Sequence, residues 1–161
     1  MKRFGGFIAL AAVLGALVLS GPATAAGTEL PFKGESTGVV TTTGFDPVAG
    51  ILYTTVAGEG HATHLGRFTV TGQVAVDVAT GPVGTWTLTA ANGDMLFLAM
   101  TGHGIDPTHG FGAFTIVGGT GRFDGASGSY EQTITFDATP GTVDVIGYTD
   151  VLEGTISLGL K

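Results

Sequence analysis

The sequence predicts an all-β fold of eight or nine short strands, a sandwich or, in preference, a closed antiparallel barrel, and three observations predict it. Short Val/Thr-rich runs alternate apolar and polar residues with a period of two, glycine recurs between and within those runs, and no stretch beyond the N-terminal segment carries a helical stripe. Short strands without covering helices point to a sandwich or a closed barrel. The barrel is preferred because an exported sheet without disulfides has to remove its edges, and glycines at strand positions suit the tight bends of barrel corners. An eight-stranded barrel has room inside for its own side chains or one small ligand.

The chain opens with Lys2 and Arg3, an apolar run from Phe7 to Leu19, and small residues at Ala23-Thr24-Ala25. That order is the layout of a secretory signal peptide over residues 1–25, which leaves residues 26–161 as a single barrel domain in a secreted, extracellular or periplasmic protein. The apolar run is shorter than the roughly 20 residues a membrane span needs, so no membrane association is expected after cleavage. There is no Cys, and stability therefore rests on packing and hydrogen bonds. The formal net charge is −7, and loss of Lys2 and Arg3 makes it two units more negative. Lys33, Arg67, Arg122 and Lys161 stand singly, with no basic stripe of the kind nucleic acid requires.

Taken in order, residues 26–33 read as a polar terminal arm containing Pro31, and Thr37 to Thr43 and Gly50 to Ala57 as the first two strands, separated by the turn cluster Gly44-Phe45-Asp46-Pro47. A Gly-rich loop from Gly58 to Gly66 then enters a strand at Arg67-Phe68-Thr69-Val70. Gln73 to Ala79 alternates cleanly, with Val74, Val76 and Val78 on one face. Thr85 to Ala90 and Met95 to Met100 form a hairpin about Asn92-Gly93, whose sequence suits a type I′ turn. The second arm is apolar on both faces, which suggests burial on both sides or a subunit contact on the outer one. Gly102 to Gly110 reads as a loop and Gly112 to Val117 as a strand. Ser129 to Asp137 places Tyr130, Ile134 and Phe136 together. The last run, Thr142 to Leu158, changes phase near Gly147, where a bulge or bend is expected.

The most distinctive stretch runs from Val117 to Gly128. Its Gly118, Gly119, Gly121, Gly125 and Gly128 surround one aromatic, Phe123, between two strands. Such a cluster specifies a particular corner, with Phe123 as a core plug and the glycines serving geometry. It is no phosphate loop, since it lacks the Lys-Ser/Thr ending and leads into a strand. The run Gly119-Thr120-Gly121-Arg122-Phe123-Asp124-Gly125-Ala126-Ser127-Gly128 resembles the G-T-G-x-F-x-x-A-x-G signature of dirigent proteins and the related corner of allene oxide cyclases. The segment Thr63-His64-Leu65-Gly66-Arg67-Phe68-Thr69 is similar to a phrase recurring in small exported bacterial proteins of the same barrel type. The resemblance implies an eight-stranded, calycin-like barrel, a cavity for a hydrophobic or phenolic ligand, and a homo-oligomer, a trimer by analogy. No position matches the catalytic acids, Arg or Asn of either enzyme family.

Candidate chemistry is sparse. Asp144, Tyr148 and Asp150 share parity, and an acid and a phenol pointing into a cavity would make an acid/base pair. Trp86, Phe97, Tyr130 and Arg67 are the candidate contacts for a ligand. Arg67 and Arg122 each precede a Phe, and alternation places each Arg and its Phe on opposite faces; the Arg either anchors an anion at the barrel mouth or pairs with an acid such as Asp124. His61 with His64 and His103 with His109 form two pairs that, together with Asp106, are read either as metal ligands or as ordinary loop histidines, the second being preferred. No Ser elbow, Cys nucleophile or HExxH pattern is present. No cofactor is expected. The function expected is binding of a small hydrophobic or aromatic molecule in the barrel, or a structural role outside the cell; the alternative is a cofactor-free cyclase or isomerase of the allene oxide cyclase or dirigent kind.

Overall fold

The computed structural model describes residues 27–140 and 142–159, so the segment read as a signal peptide lies outside the described residues, as do Gly141 and Lys161. Period-two alternation produces eight strands: β1 (Glu29–Asp46), β2 (Ile51–Ala62), β3 (Gly66–Asp77), β4 (Gly81–Ala90), β5 (Met95–Asp106), β6 (His109–Gly119), β7 (Ser127–Phe136) and β8 (Val145–Ser157). Each pairs antiparallel with the next, and β8 returns to β1, from Glu29 opposite Ser157 to Thr41 opposite Val145. The sheet is therefore a closed barrel with no free edge.

The strands are longer than turn chemistry suggests. Residues Glu29 to Lys33 belong to β1, so the polar arm is sheet and Pro31 sits within it opposite Thr155. Gly58 and Gly60 lie inside β2, and β3 runs unbroken from Gly66 to Asp77. Gly102 to Asp106 extends β5, leaving only Pro107 and Thr108 as its turn to β6. β8 keeps one phase throughout: Ile146, Tyr148, Asp150, Leu152 and Ile156 are all buried, with no bulge at Gly147. Register shifts fall instead at Thr42/Gly44, Phe97/Leu98 and Gly104/Asp106. The Asn92-Gly93 hairpin is real, but only Gly93 has positive φ (88°), and Gly93 N donates to Ala90 O at 2.9 Å while Ala90 N donates to Asp94 O at 2.8 Å. That is a three-residue loop with glycine in the left-handed position, rather than a type I′ turn. β5 buries one face only; Phe97 on its outer face is 36% exposed.

The two ends of the barrel differ. At one end lie the turn at 63–65, the hairpin loop at 91–94 and the glycine corner. Phe32, Leu65, Leu96, Phe123 and Ile156 pack there with essentially no exposure and plug the barrel. The corner is a single 3-10 turn over Gly121–Phe123, with Gly121 and Gly125 at φ 58° and 69°, a region L side chains avoid. A side chain on Gly121 would also overlap the Asp94 carboxylate. Thr120 locks the corner to β5, its backbone N donating to Met95 O and its hydroxyl accepting from Met95 N. Arg122 pairs with Asp94 rather than Asp124: its backbone N donates to Asp94 Oδ2 at 3.2 Å, and its guanidinium donates to Leu65 O at 2.8 Å and lies 4.8 Å from the centre of the Phe123 ring. The opposite end, bounded by loops 47–50, 78–80, 107–108 and 137–144, is the mouth.

Candidate functional site

The mouth opens into a cavity of about 630 Å³. Val40, Thr54 and Val56 of β1 and β2, Val74 of β3, Trp86 of β4, Met100 of β5, Ile134 of β7, and Ile146 and Tyr148 of β8 line its walls. These are the inward positions of each strand, so the same alternation that closes the barrel makes the cavity apolar. Below it, rings separate cavity from plug: Trp86 meets Phe114 edge-on at 5.0 Å, Phe114 stacks on Tyr130 at 4.8 Å, and Tyr130 lies 5.4 Å from Phe32.

Glycines make room for these rings. A Cβ on Gly72 would stand 2.7 Å from the Trp86 ring, and one on Gly112 would stand 2.7 Å from Phe114. Gly38 and Gly58 cradle Tyr148: a Cβ on Gly38 would stand 2.9 Å from its ring and one on Gly58 2.7 Å from its hydroxyl. Aromatic bulk on one strand is thus matched by missing side chains on its neighbours.

One layer beneath the cavity wall sits a buried acid. Asp150 Oδ1 accepts from Ser36 N at 3.0 Å and Ser36 Oγ at 2.9 Å, Oδ2 lies 2.8 Å from the same hydroxyl, and Gln132 Nε2 donates to Oδ2. Burial pushes the Asp150 carboxyl up to about 6, against which the Ser36 and Gln132 hydrogen bonds act. Burial likewise raises Tyr148 to about 12, offset in part by the Ser36 hydroxyl and reinforced by the Asp150 charge, and holds Tyr130 well above the usual phenol range. Trp86 Nε1, Gln132 Oε1 and Tyr148 Oη are buried and make no hydrogen bond of normal length and angle, the Ser36 hydroxyl being the polar neighbour of Tyr148 Oη. Asp150, Ser36 and Gln132 are absent from the cavity lining, whereas Tyr148 is part of it.

The predicted site residues are therefore divided. Tyr148, Asp150, Trp86 and Tyr130 meet in the interior, while Asp144 is exposed in the loop before β8. Phe97 and Arg67 stand on the outside. Arg67 borders an outer groove of about 810 Å³ with His61, Glu35 and Glu59, whose lining also reaches Ser36 and Asp150. Arg67 and Phe68 do face opposite ways, with Phe68 in the core. The histidine pairs lie at opposite ends: His61 stands near the end of β2 and His64 in the 63–65 turn at φ 63°, whereas His103 and His109 stand at the mouth. His109 Nδ1 lies 2.8 Å from Asp106 Oδ1, and His103 packs on Phe111 at 5.0 Å. Among the described residues no three His, Asp or Glu side chains gather as a metal site would require. Sequence reasoning missed Ser36 and Gln132. Gln132 shares parity with Tyr130 and Ile134, and a lone amide on an apolar face was the available signal.

No protein-family model matches the chain, and no curated protein sequence does. Among solved structures the chain is similar to the pterocarpan synthase dirigent protein, at a TM-score of 0.49 and 14% identity over 83% of this chain and 86% of that one. The barrel itself stands on the closed strand pairing described above.

Proposed function

We propose that this protein is an exported barrel that binds a small apolar or aromatic molecule in its cavity and releases it unchanged. The observation that carries this reading is the cavity of about 630 Å³, open at one end and walled by Val, Ile, Met, Trp and Tyr. A preformed apolar hollow with few polar atoms is the usual character of a small-molecule site. The chain's single Trp, Trp86, is part of the wall and serves as an intrinsic reporter. Titration of the protein with N-phenyl-1-naphthylamine, a neutral apolar fluorophore, is expected to quench Trp86 emission saturably with one site per barrel. Absence of a saturable signal, with the protein shown to be folded by circular dichroism, refutes the reading.

A second reading, a cofactor-free isomerase or cyclase, is favoured by one observation: Asp150, with its carboxyl pushed up to about 6, lies in the interior with Tyr148. A general base has to come within hydrogen-bond reach of the proton it takes, and Asp150 sits behind the cavity wall, engaged by Ser36 and Gln132. Binding is therefore preferred. Native mass spectrometry of protein purified from its own host gives the mass of any retained ligand and the number of barrels per particle. A ligand recovered as two isomers whose ratio changes with incubation would overturn the preference.

A further inference from the structure

Lysine and arginine are confined to one end of the barrel among the described residues, whereas carboxylates occur at both. Five carboxylates stand at the mouth: Asp46 before the β1–β2 loop, Asp77 before the β3–β4 loop, Asp106 before the β5–β6 turn, and Asp137 and Asp144 in the β7–β8 loop. Every loop of the mouth carries at least one. The Lys and Arg residues among those described lie at the plugged end: Lys33 pairs with Glu153, Arg67 begins β3, and Arg122 is held by Asp94 and Leu65. The histidines at the mouth are His103 and His109, the latter with its Nδ1 2.8 Å from Asp106 Oδ1.

Three of the carboxylates are fixed in place. Asp46 Oδ1 accepts from Val48 N and Ala49 N, Asp77 Oδ1 from Ala79 N and Thr80 N, and Asp106 Oδ1 from Thr108 N. Between them the rim is apolar, with Phe45, Val78 and Val143 belonging both to the exposed surface and to the cavity lining. Further in, Trp86 and Tyr148 are more than nine-tenths buried and line the cavity. A ring of one sign above a low-dielectric hollow focuses potential into it.

We propose that the cavity selects amphipathic organic cations, with the apolar body against Trp86, Met100 and Tyr148 and the charged group at the aspartate rim, and that it rejects anions of the same skeleton. This rests on the reading of the cavity as a binding site and names the class of ligand that site takes.

The test uses three probes of one skeleton, octylammonium, octanol and octanoate, titrated at pH 8 and followed by calorimetry and Trp86 emission. At about 10 mM salt the ammonium is expected to bind at least about tenfold more tightly than the carboxylate, with the alcohol between them, and the gap is expected to shrink as salt screens the rim. The variant Asp46→Asn/Asp77→Asn/Asp106→Asn keeps an oxygen for each backbone donor and is expected to narrow the gap between octylammonium and octanoate, with circular dichroism reporting that the barrel is intact. Equal affinity for the three probes, or a gap indifferent to both salt and the variant, overturns the selectivity and leaves the binding site standing. No binding of any probe removes the binding site and the selectivity together.

Discussion

Replacing Asp150 by Asn removes a charge from the most costly place in the molecule and keeps its shape. The Asp150 side chain is engaged by Ser36 and Gln132, yet burial outweighs those bonds and raises its carboxyl from 3.8 to about 6. A folded-state value above the unfolded one means that the neutral acid is the form the fold prefers. Its contribution is fully present below about pH 4 and is lost as pH rises through about 6. A displacement of about two units at about 1.4 kcal/mol each puts the ionisation penalty at pH 7.5 at about 3 kcal/mol. Asn is neutral throughout. Its Oδ1 can take the Ser36 donors, and its Nδ2 can donate to Gln132 Oε1, which has no partner in the wild type.

Asp150→Asn is therefore expected to match the wild type near pH 4 and to exceed it by about 1–3 kcal/mol at pH 7.5, the lower figure allowing for weaker hydrogen bonds to an amide. Urea unfolding of both proteins from pH 3.5 to 8 gives the difference directly. Subtracting the two curves cancels the opposite slope from Asp77 and Asp106, whose carboxyls backbone hydrogen bonds hold below the usual range. A difference that stays constant with pH, or an Asn variant less stable at pH 7.5 than at pH 4 relative to wild type, refutes the account of a strained buried carboxylate.

Other substitutions probe separate parts of the structure. Phe123→Ala empties the plug and is expected to cost about 3–5 kcal/mol in urea unfolding while the cavity still binds N-phenyl-1-naphthylamine; unchanged stability with lost binding would show that Phe123 belongs to the site rather than the core. Gly72→Ala drives a methyl against Trp86, so a loss of about 1–3 kcal/mol should accompany a shift in Trp emission, and a destabilised variant with an unmoved spectrum would show that the ring does not depend on that space. Tyr148→Phe deletes a hydroxyl that makes no hydrogen bond of normal length and angle while retaining the ring over Gly38 and Gly58; stability within about 1 kcal/mol of wild type is expected, and a loss above about 2 kcal/mol would mean the hydroxyl is well hydrogen-bonded in solution.

The architecture was legible because alternation is a backbone property that survives the absence of any neighbour. Runs of period two, such as that with Trp86 and Leu88 on one face and threonines on the other, become strands whose inner faces are the runs' apolar faces, two of the runs merging into β3. Strand ends were less legible, and glycine is the reason. A residue that takes turn conformations also removes a side chain, and the sequence does not say which property is in use. Gly58 and Gly60 read as loop but sit inside β2, where a Cβ would strike Tyr148 and Phe68. Gly93 and Gly121 are the other kind, at positive φ in a turn and a corner.

The same ambiguity hid much of the interior site. Tyr148 and Asp150 were legible from parity, but their accessibility was not, because it depends on which strands stand beside β8. Closure sets β1 against β8 with Gly38 opposite Tyr148 and Ser36 opposite Asp150, so a glycine receives the ring and a hydroxyl receives the acid. β7 adds Gln132 from the other side. Two polar residues separated by nearly a hundred positions thus satisfy one carboxylate, a convergence that only the paired register brings about. The consequence for function is physical: the register that gives Asp150 its partners also places it behind the cavity wall, leaving ring faces and mouth aspartates as what a ligand entering the barrel meets.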